Sequence, residues 1–208
     1  MKLNKDIYLI TKQYDDFNTL LYKTEEAISE GISILQYRSK VKDKSVLYNE
    51  ANKLKKLCEK YGTMLIINDR VDIAKEVGAD GVHLGQDDTS IKEARSILGK
   101  DIIIGATSKT VQDSIRCYNE GADYLGVGAL YPSPTKFNAK TIEIETLKDI
   151  KKAVPIPIVG IGGITVDNLT KEIVDNIDAI SVISVIYDSH NIKDTIRKLK
   201  EVLKKGRN

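Results

Sequence analysis

At 208 residues, 41% hydrophobic and 30% charged, the chain has enough apolar material for one good core and no room for a second domain. A formal net charge of +2 gives no support to binding nucleic acid or an anionic membrane. No apolar run approaches the ~20 residues of a membrane-spanning helix, and Ile7-Tyr8-Leu9-Ile10 is far too short for a signal-peptide core. With no export signal, Cys58 and Cys117 read as buried helical thiols rather than a bridge, and the cytoplasm is the expected compartment.

In chain order, short β-rich runs fall at about 7–11, 34–38, 64–68, 81–84, 102–106, 124–128, 157–161 and 179–186. Met64-Leu65-Ile66-Ile67 and Ile102-Ile103-Ile104 are almost continuously apolar, as strands buried on both faces are. Longer charged segments with helical spacing lie between the runs. One carries the stripe Leu47, Ala51, Leu54, Leu57, Cys58 and Tyr61. Another opens on Ser90-Ile91-Lys92-Glu93, a capping box, and stops at Gly99. A helix is expected to open near Val166. The basic residues Arg197, Lys198, Lys200, Lys204, Lys205 and Arg207 read as the solvated face of a terminal helix. All four prolines flank strands, where a missing N–H breaks no central ladder bond. Strands alternating with helices predict right-handed βαβ units. Eight units give an α/β fold, a single (β/α)8 TIM barrel spanning residues 1–208, with no sequence repeat beyond the βα period.

Polar residues follow every run. They are Thr11; Gln36, Arg38 and Lys40; Asn68-Asp69-Arg70; His83 with Gly85-Gln86-Asp87-Asp88; Thr107-Ser108-Lys109; Tyr131 to Lys136; Gly160-Ile161-Gly162-Gly163; and Ser181 with Ser184. Such groups at the carboxyl ends of successive barrel strands predict one shared site on one face. Gly162 and Gly163 let backbone N–H groups approach an anion, and with Ser184 they fall on the strand pair where barrels bind phosphate. Arg38, Lys40 and Lys136 suggest a second anion site, suited to a diphosphate. Asp69 and Asp88, on neighbouring loops, would repel a diphosphate unless Mg²⁺ lay between. Asp87 is the rival to Asp88, and either aspartate could instead cap the following helix. His83 faces a ligand or is a core group, and His190 reads as a loop residue. Without a His/Cys cluster zinc has no support, and without a Ser-His-Asp set or a Gly-x-Ser-x-Gly elbow neither does acyl transfer. The residues alone thus reach a barrel enzyme with two anion sites, one metal-assisted, and pyrophosphate as leaving group.

At these positions the chain resembles the thiamine-phosphate synthase family over nearly its whole length. The matching strings are Gln36-Tyr37-Arg38-Ser39-Lys40, Asn68-Asp69-Arg70, His83-Leu84-Gly85-Gln86-Asp87-Asp88, Gly121 to Gly128, Pro132-Ser133-Pro134-Thr135-Lys136 and Val159 to Ile164. The family joins hydroxymethylpyrimidine diphosphate to a thiazole phosphate, releasing pyrophosphate and forming thiamine phosphate. A carboxylated thiazole loses carbon dioxide as well. The resemblance implies that Arg38, Lys40, Asn68, Thr107, Ser133, Thr135 and Lys136 hold the diphosphate, with Arg38, Lys40, Lys136 and Thr107 assisting its departure. It implies Mg²⁺ on Asp69 and Asp88, the pyrimidine beside Gln36 and His83, and the thiazole phosphate on Gly162, Gly163, Ile183 and Ser184. Departure of diphosphate comes first in the family, leaving a pyrimidine-methyl cation for the thiazole nitrogen, so no protein nucleophile is needed.

The chain departs from the family pattern at four places. Thr107 stands where serine is common, Lys109 where histidine is common, Ser133 for threonine and Ala129 for proline; most donors survive. One rival is the thiazole tautomerase of the same superfamily, whose members tend to lack the two aspartates and use a histidine where Lys109 stands. Another is a non-catalytic barrel that binds a thiamine precursor. The expected partners are small-molecule substrates, not nucleic acid or membrane, and self-association is left open. Lys12 to Lys23 and Phe137 to Lys140 are candidate lids, being polar and irregular beside the mouth.

Overall fold

Eight parallel strands hydrogen-bond in chain order, and the last closes onto the first. The structure is a computed structural model, and it describes residues 3–40, 43–132 and 140–205. The strands are β1 (Asp6–Ile10), β2 (Ile34–Tyr37), β3 (Met64–Asn68), β4 (Gly81–Leu84), β5 (Ile103–Ser108), β6 (Tyr124–Gly128), β7 (Ile158–Ile161) and β8 (Ala179–Val182). Between them run α1 (Phe17–Ile28), α2 (Lys44–Tyr61), α3 (Val71–Val77), α4 (Ile91–Leu98), α5 (Val111–Asn119), α6 (Ile144–Ala153) and α7 (Lys171–Asp175). The short α8 (Ser184–Tyr187) and the terminal α9 (Ile192–Lys205) follow β8. This is the (β/α)8 barrel that the alternation of runs predicts.

Strand alternation sorts the side chains into two cores. Ile7 and Leu9 of β1 pack outward into the layer beneath the helices, with Leu35, Leu65, Val82, Ile104, Leu125 and Ile180. Tyr8, Ile34, Ile66, Tyr124, Val159 and Ala179 fill the barrel interior. The α2 stripe packs as expected, with Leu47, Ala51, Leu54 and Cys58 buried. Ser90 Oγ accepts the Glu93 N–H at the start of α4, and Gly99 closes its end. Cys58 and Cys117 are both free and buried.

Three expectations need correction. The run at 179–186 is not one strand: β8 stops at Val182 and α8 begins at Ser184. Its alternating serines mimic a strand pattern, but the backbone breaks away at Ile183 (φ −132°, ψ −85°) to turn the chain over the barrel mouth. No helix opens at Val166. Asn168 Oδ1 instead accepts the Thr165 N–H (2.8 Å) while Nδ2 donates to Gly163 O (2.8 Å), holding a turn, and α7 starts after Thr170. The segment Lys12 to Lys23 is irregular only to Asp16, which caps α1 through the N–H groups of Asn18 and Thr19.

A repeat that the sequence reading did not find lies at the amino-terminal end of the barrel. Asp80, Asp123 and Asp178 each precede an even-numbered strand. Asp80 N–H donates to Leu65 O (2.9 Å) while its Oδ2 accepts the Leu65 N–H (2.8 Å). Asp123 does the same with Ile104 (2.7 and 2.8 Å), and Asp178 with Ile158 (2.7 and 2.7 Å). Each carboxylate also meets a cation from the helix before last in the chain: Lys55 of α2 (3.1 Å), Arg95 of α4 (2.7 Å) and Lys151 of α6 (2.6 Å). The first quarter breaks the pattern, since Ser33 takes that position and donates to Asp6 Oδ1 (2.9 Å). The repeat is of two βα units, and only the short strings Gly78-Ala79-Asp80 and Gly121-Ala122-Asp123 betray it in sequence.

Replacing Asp80, Asp123 or Asp178 with alanine leaves a strand N–H without its acceptor and removes the carboxylate partner of Lys55, Arg95 or Lys151. Each substitution should lower the unfolding free energy in urea by about 1–3 kcal/mol, with ligand affinity at the opposite face unchanged.

Candidate active site

A cavity of about 560 Å³ opens at the carboxyl ends of the strands, and all eight strands contribute to its wall. That volume lies in the range typical of small-molecule sites. Its floor is polar. Gln36 Nε2 donates to Tyr8 Oη (2.7 Å), Tyr8 Oη and Tyr124 Oη lie 2.6 Å apart, Tyr124 Oη lies 3.0 Å from His83 Nδ1, and His83 Nε2 lies 3.0 Å from Thr107 Oγ1. Gln36, Tyr8 and Tyr124 are buried, and burial raises both phenols well above their usual range. The packing leaves room for these rings only because two neighbours are glycine. A Cβ on Gly105 would sit 2.1 Å from the Tyr124 ring, and one on Gly126 would meet His83 Cε1 at 3.0 Å. His83 therefore points inward.

Arg38 lines the cavity just beyond β2. The buried Thr11 holds its backbone: Thr11 Oγ1 accepts the Arg38 N–H (2.8 Å) and donates to Arg38 O (3.1 Å). Asn68, at the end of β3, also lines the wall. Lys40, beyond the strand end, is exposed and off the cavity wall, its N–H bonded to Gln13 Oε1 (3.1 Å). Arg70 turns away into a two-pronged pair with Asp72 (2.8 and 2.6 Å).

Asp69 and Asp88 come together at the rim. Asp69 takes a left-handed backbone (φ 62°), its N–H bonded to His83 O (2.9 Å). Asp88 Oδ2 accepts the Gly85 N–H (2.6 Å). Asp88 is thus held by its own loop, and Ser90, not an aspartate, caps α4. Crowding by the strand ends, then the hydrogen bond with Asp88 and its charge, push the Asp69 carboxyl up to about 6, while Asn68 and Arg38 pull it down. Asp69 stays solvent-exposed, so screening keeps the stability effect of this pair small. Among the described residues no three His, Cys, Asp or Glu side chains gather as a metal cage.

The opposite wall belongs to β7 and β8. Gly162 (φ 95°) and Gly163 (φ 59°) follow β7 in conformations a side chain would resist, and a Cβ on Gly163 would lie 2.2 Å from Pro132 O. Both line the cavity with Ile183 and Ser184. The short helix α8 is anchored to the start of the chain. Tyr187 O accepts from Lys23 Nζ (2.8 Å), Tyr187 Oη lies 2.8 Å from Thr24 Oγ1, and Asp188 pairs with Lys12. Ser133, Thr135, Lys136 and the lid candidate Phe137-Asn138-Ala139 lie outside the described residues.

A family model described as thiamine monophosphate synthase matches residues 7–186. Thiamine-phosphate synthase of Clostridium perfringens strain 13 is 44% identical over 201 residues, 97% of each chain. The chain belongs to the thiamine monophosphate synthase family. It is a transferase of thiamine biosynthesis. Thiamine-phosphate synthase of Clostridium acetobutylicum is 45% identical, covering 96% of this chain and 95% of its own. Thiamine phosphate pyrophosphorylase from Pyrococcus furiosus superposes with a TM-score of 0.85 at 31% identity, over 96% of this chain and 95% of that one.

Within this family member, the structure brings Gln36, Arg38, Asn68, His83 and Thr107 to one side of a single cavity and Gly162, Gly163, Ile183 and Ser184 to the other. Sequence reading missed Tyr8 and Tyr124, which look like ordinary core aromatics. The signal was Gly105 and Gly126, two inward positions left empty on neighbouring strands.

In metal-free protein, carbon-detected NMR should find Asp69 titrating near pH 6. The folded value lies above the ordinary one, so Asp69 keeps its proton below that pH and becomes anionic above it. Asp88→Asn removes the neighbouring charge and should lower the midpoint. Desolvation, the largest cause, should keep it above the usual carboxylate value.

Proposed function

We propose that this protein transfers the aminopyrimidinylmethyl group from its diphosphate to the nitrogen of thiazole phosphate, releasing pyrophosphate. The observation that carries this reading is the pairing of two anion-suited walls in one cavity. Arg38, Asn68 and Thr107 stand on one side, with Asp69 and Asp88 at the rim, and the Gly162–Gly163 turn with Ser184 stands on the other. Arg38, Lys40, Asn68 and Thr107 hold the diphosphate, joined by Ser133, Thr135 and Lys136. Gln36 and His83 flank the pyrimidine. Backbone N–H groups at Gly163 and Ser184 take the thiazole phosphate, with Gly162 and Ile183 shaping the turn.

Asp69 and Asp88 fit Mg²⁺. Partial desolvation, and then the neighbouring Asp88, raise the Asp69 carboxyl; a divalent cation between the two carboxylates would offset both effects, and Mg²⁺ commonly takes one or two carboxylates plus phosphate oxygens. Bound there, Mg²⁺ would neutralise charge growing on the diphosphate. Arg38 and Lys136 share that task from the protein side. The C–O bond breaks with its electron pair on the diphosphate oxygen, and the thiazole nitrogen lone pair makes the new C–N bond. No described side chain is needed as nucleophile. A carboxylated thiazole would lose carbon dioxide after the bond forms. Among the described residues no helix is long and apolar enough to cross a membrane, and we assign the protein to the cytoplasm.

A tautomerase would not need the aspartate pair, and a binding module would have no use for it. Both aspartates are present and adjacent, which favours the synthase.

Purified protein given both substrates should release pyrophosphate only when Mg²⁺ is present. Asp88→Ala should cut turnover by on the order of a hundredfold or more while circular dichroism stays native. Release without the thiazole, or a variant as fast as the parent, would remove this assignment.

A further inference from the structure

The floor of the cavity is a single file of polar groups, and its ends determine its direction. An amide nitrogen only donates, and each hydroxyl has one proton to give. Gln36 Nε2 donates to Tyr8 Oη and cannot accept, so among the described residues the acceptor left for the Tyr8 proton is Tyr124 Oη. The Tyr124 proton then has His83 Nδ1 as its acceptor. A neutral imidazole that accepts at Nδ1 carries its proton on Nε2, which gives it to Thr107 Oγ1. No described residue takes the Thr107 proton in turn, and Thr107 faces the cavity. The phenols cannot interrupt the file by ionising, since burial raises both. The Tyr124 and His83 rings fill the space left by Gly105 and Gly126.

We propose that Tyr8 and Tyr124 are positioning residues that fix His83 as its Nε2–H tautomer and aim the Thr107 hydroxyl proton outward, at an oxygen of the departing diphosphate. The second half rests on the diphosphate reading of this site; the first does not. Direction matters because the reverse order would have Thr107 donate to His83 and offer an anion only oxygen lone pairs. Run outward, the file delivers a donor with its orientation already set, and each bond polarises the next.

The test begins with ligand-free protein carrying ¹⁵N-labelled histidine, with the exposed His190 changed to glutamine so that His83 alone reports. The expected spectrum is the Nε2–H tautomer, and an Nδ1–H spectrum overturns the proposal. Tyr8→Phe removes one link, so the ring should become a mixture of tautomers. Its kcat should fall by on the order of tenfold, less than the 10²–10³ seen when a donor is removed outright, with KM for thiazole phosphate nearly unchanged. A Tyr8→Phe protein with the parent's spectrum and kcat overturns the positioning role. Gln36→Glu offers only acceptors, so it should reverse the file and move the proton to Nδ1; an unchanged tautomer there also overturns it. Should the parent release no pyrophosphate at all, the proposed reaction fails, yet the spectra still decide the direction of the file.

Discussion

A barrel interior can hold polar atoms only if each finds a partner, and the 2.6 Å contact between Tyr8 and Tyr124 is where this chain meets that condition. The two phenols come from β1 and β6, strands that do not pair, so the contact spans the barrel lumen. Below it the interior is apolar, with Ile34, Ile66, Val159 and Ala179. Above it stand Gln36, His83 and Thr107. The pair thus marks the boundary between packing and chemistry. Two phenols replaced by aliphatic side chains would leave Gln36 and His83 with unsatisfied atoms at the bottom of the site, a cost that packing alone could not offset.

The opposite end of the barrel is built on a different principle. There the aspartates before β4, β6 and β8 fasten strand to strand and strand to helix, and none of them approaches the cavity. Stability and chemistry occupy different ends of the same strands, as the fold generally allows. The separation also explains the contrast among the carboxylates. Asp80, Asp123 and Asp178 each have a backbone N–H and a cation. Asp69 has another carboxylate for a neighbour, a frustrated arrangement of the kind that functional sites retain.

Much of this was legible in the sequence, because the fold depends on periodicity and periodicity is local. The strand runs, the α2 stripe and the Ser90 cap follow from side-chain chemistry within a few residues. The strand from 179 to 186 misled because Ile180-Ser181-Val182-Ile183-Ser184 alternates like a strand, whereas the demand to cover the cavity mouth is a tertiary one. The floor of the site was hidden for a similar reason. Nothing near Tyr8 in sequence points to Tyr124, and a tyrosine among isoleucines reads as core. Asp69 and Asp88 were visible because strand ends converge on one face, though their mutual contact needed three dimensions. Arg70 shows the limit of that reasoning: it follows a strand, carries charge, and spends it on Asp72 two residues away.

The anchoring of α8 has a consequence for how the molecule comes into being. Tyr187 and Asp188 fasten to Lys12, Lys23 and Thr24, and β8 pairs with β1, so the newest part of the chain completes what the oldest began. On the ribosome β1 must wait with one edge open until β8 emerges, because its partner there is made after the other seven barrel strands. The wall that holds Ser184 is therefore assembled last, and a nascent chain has its aspartate pair long before it has the opposite side of the cavity.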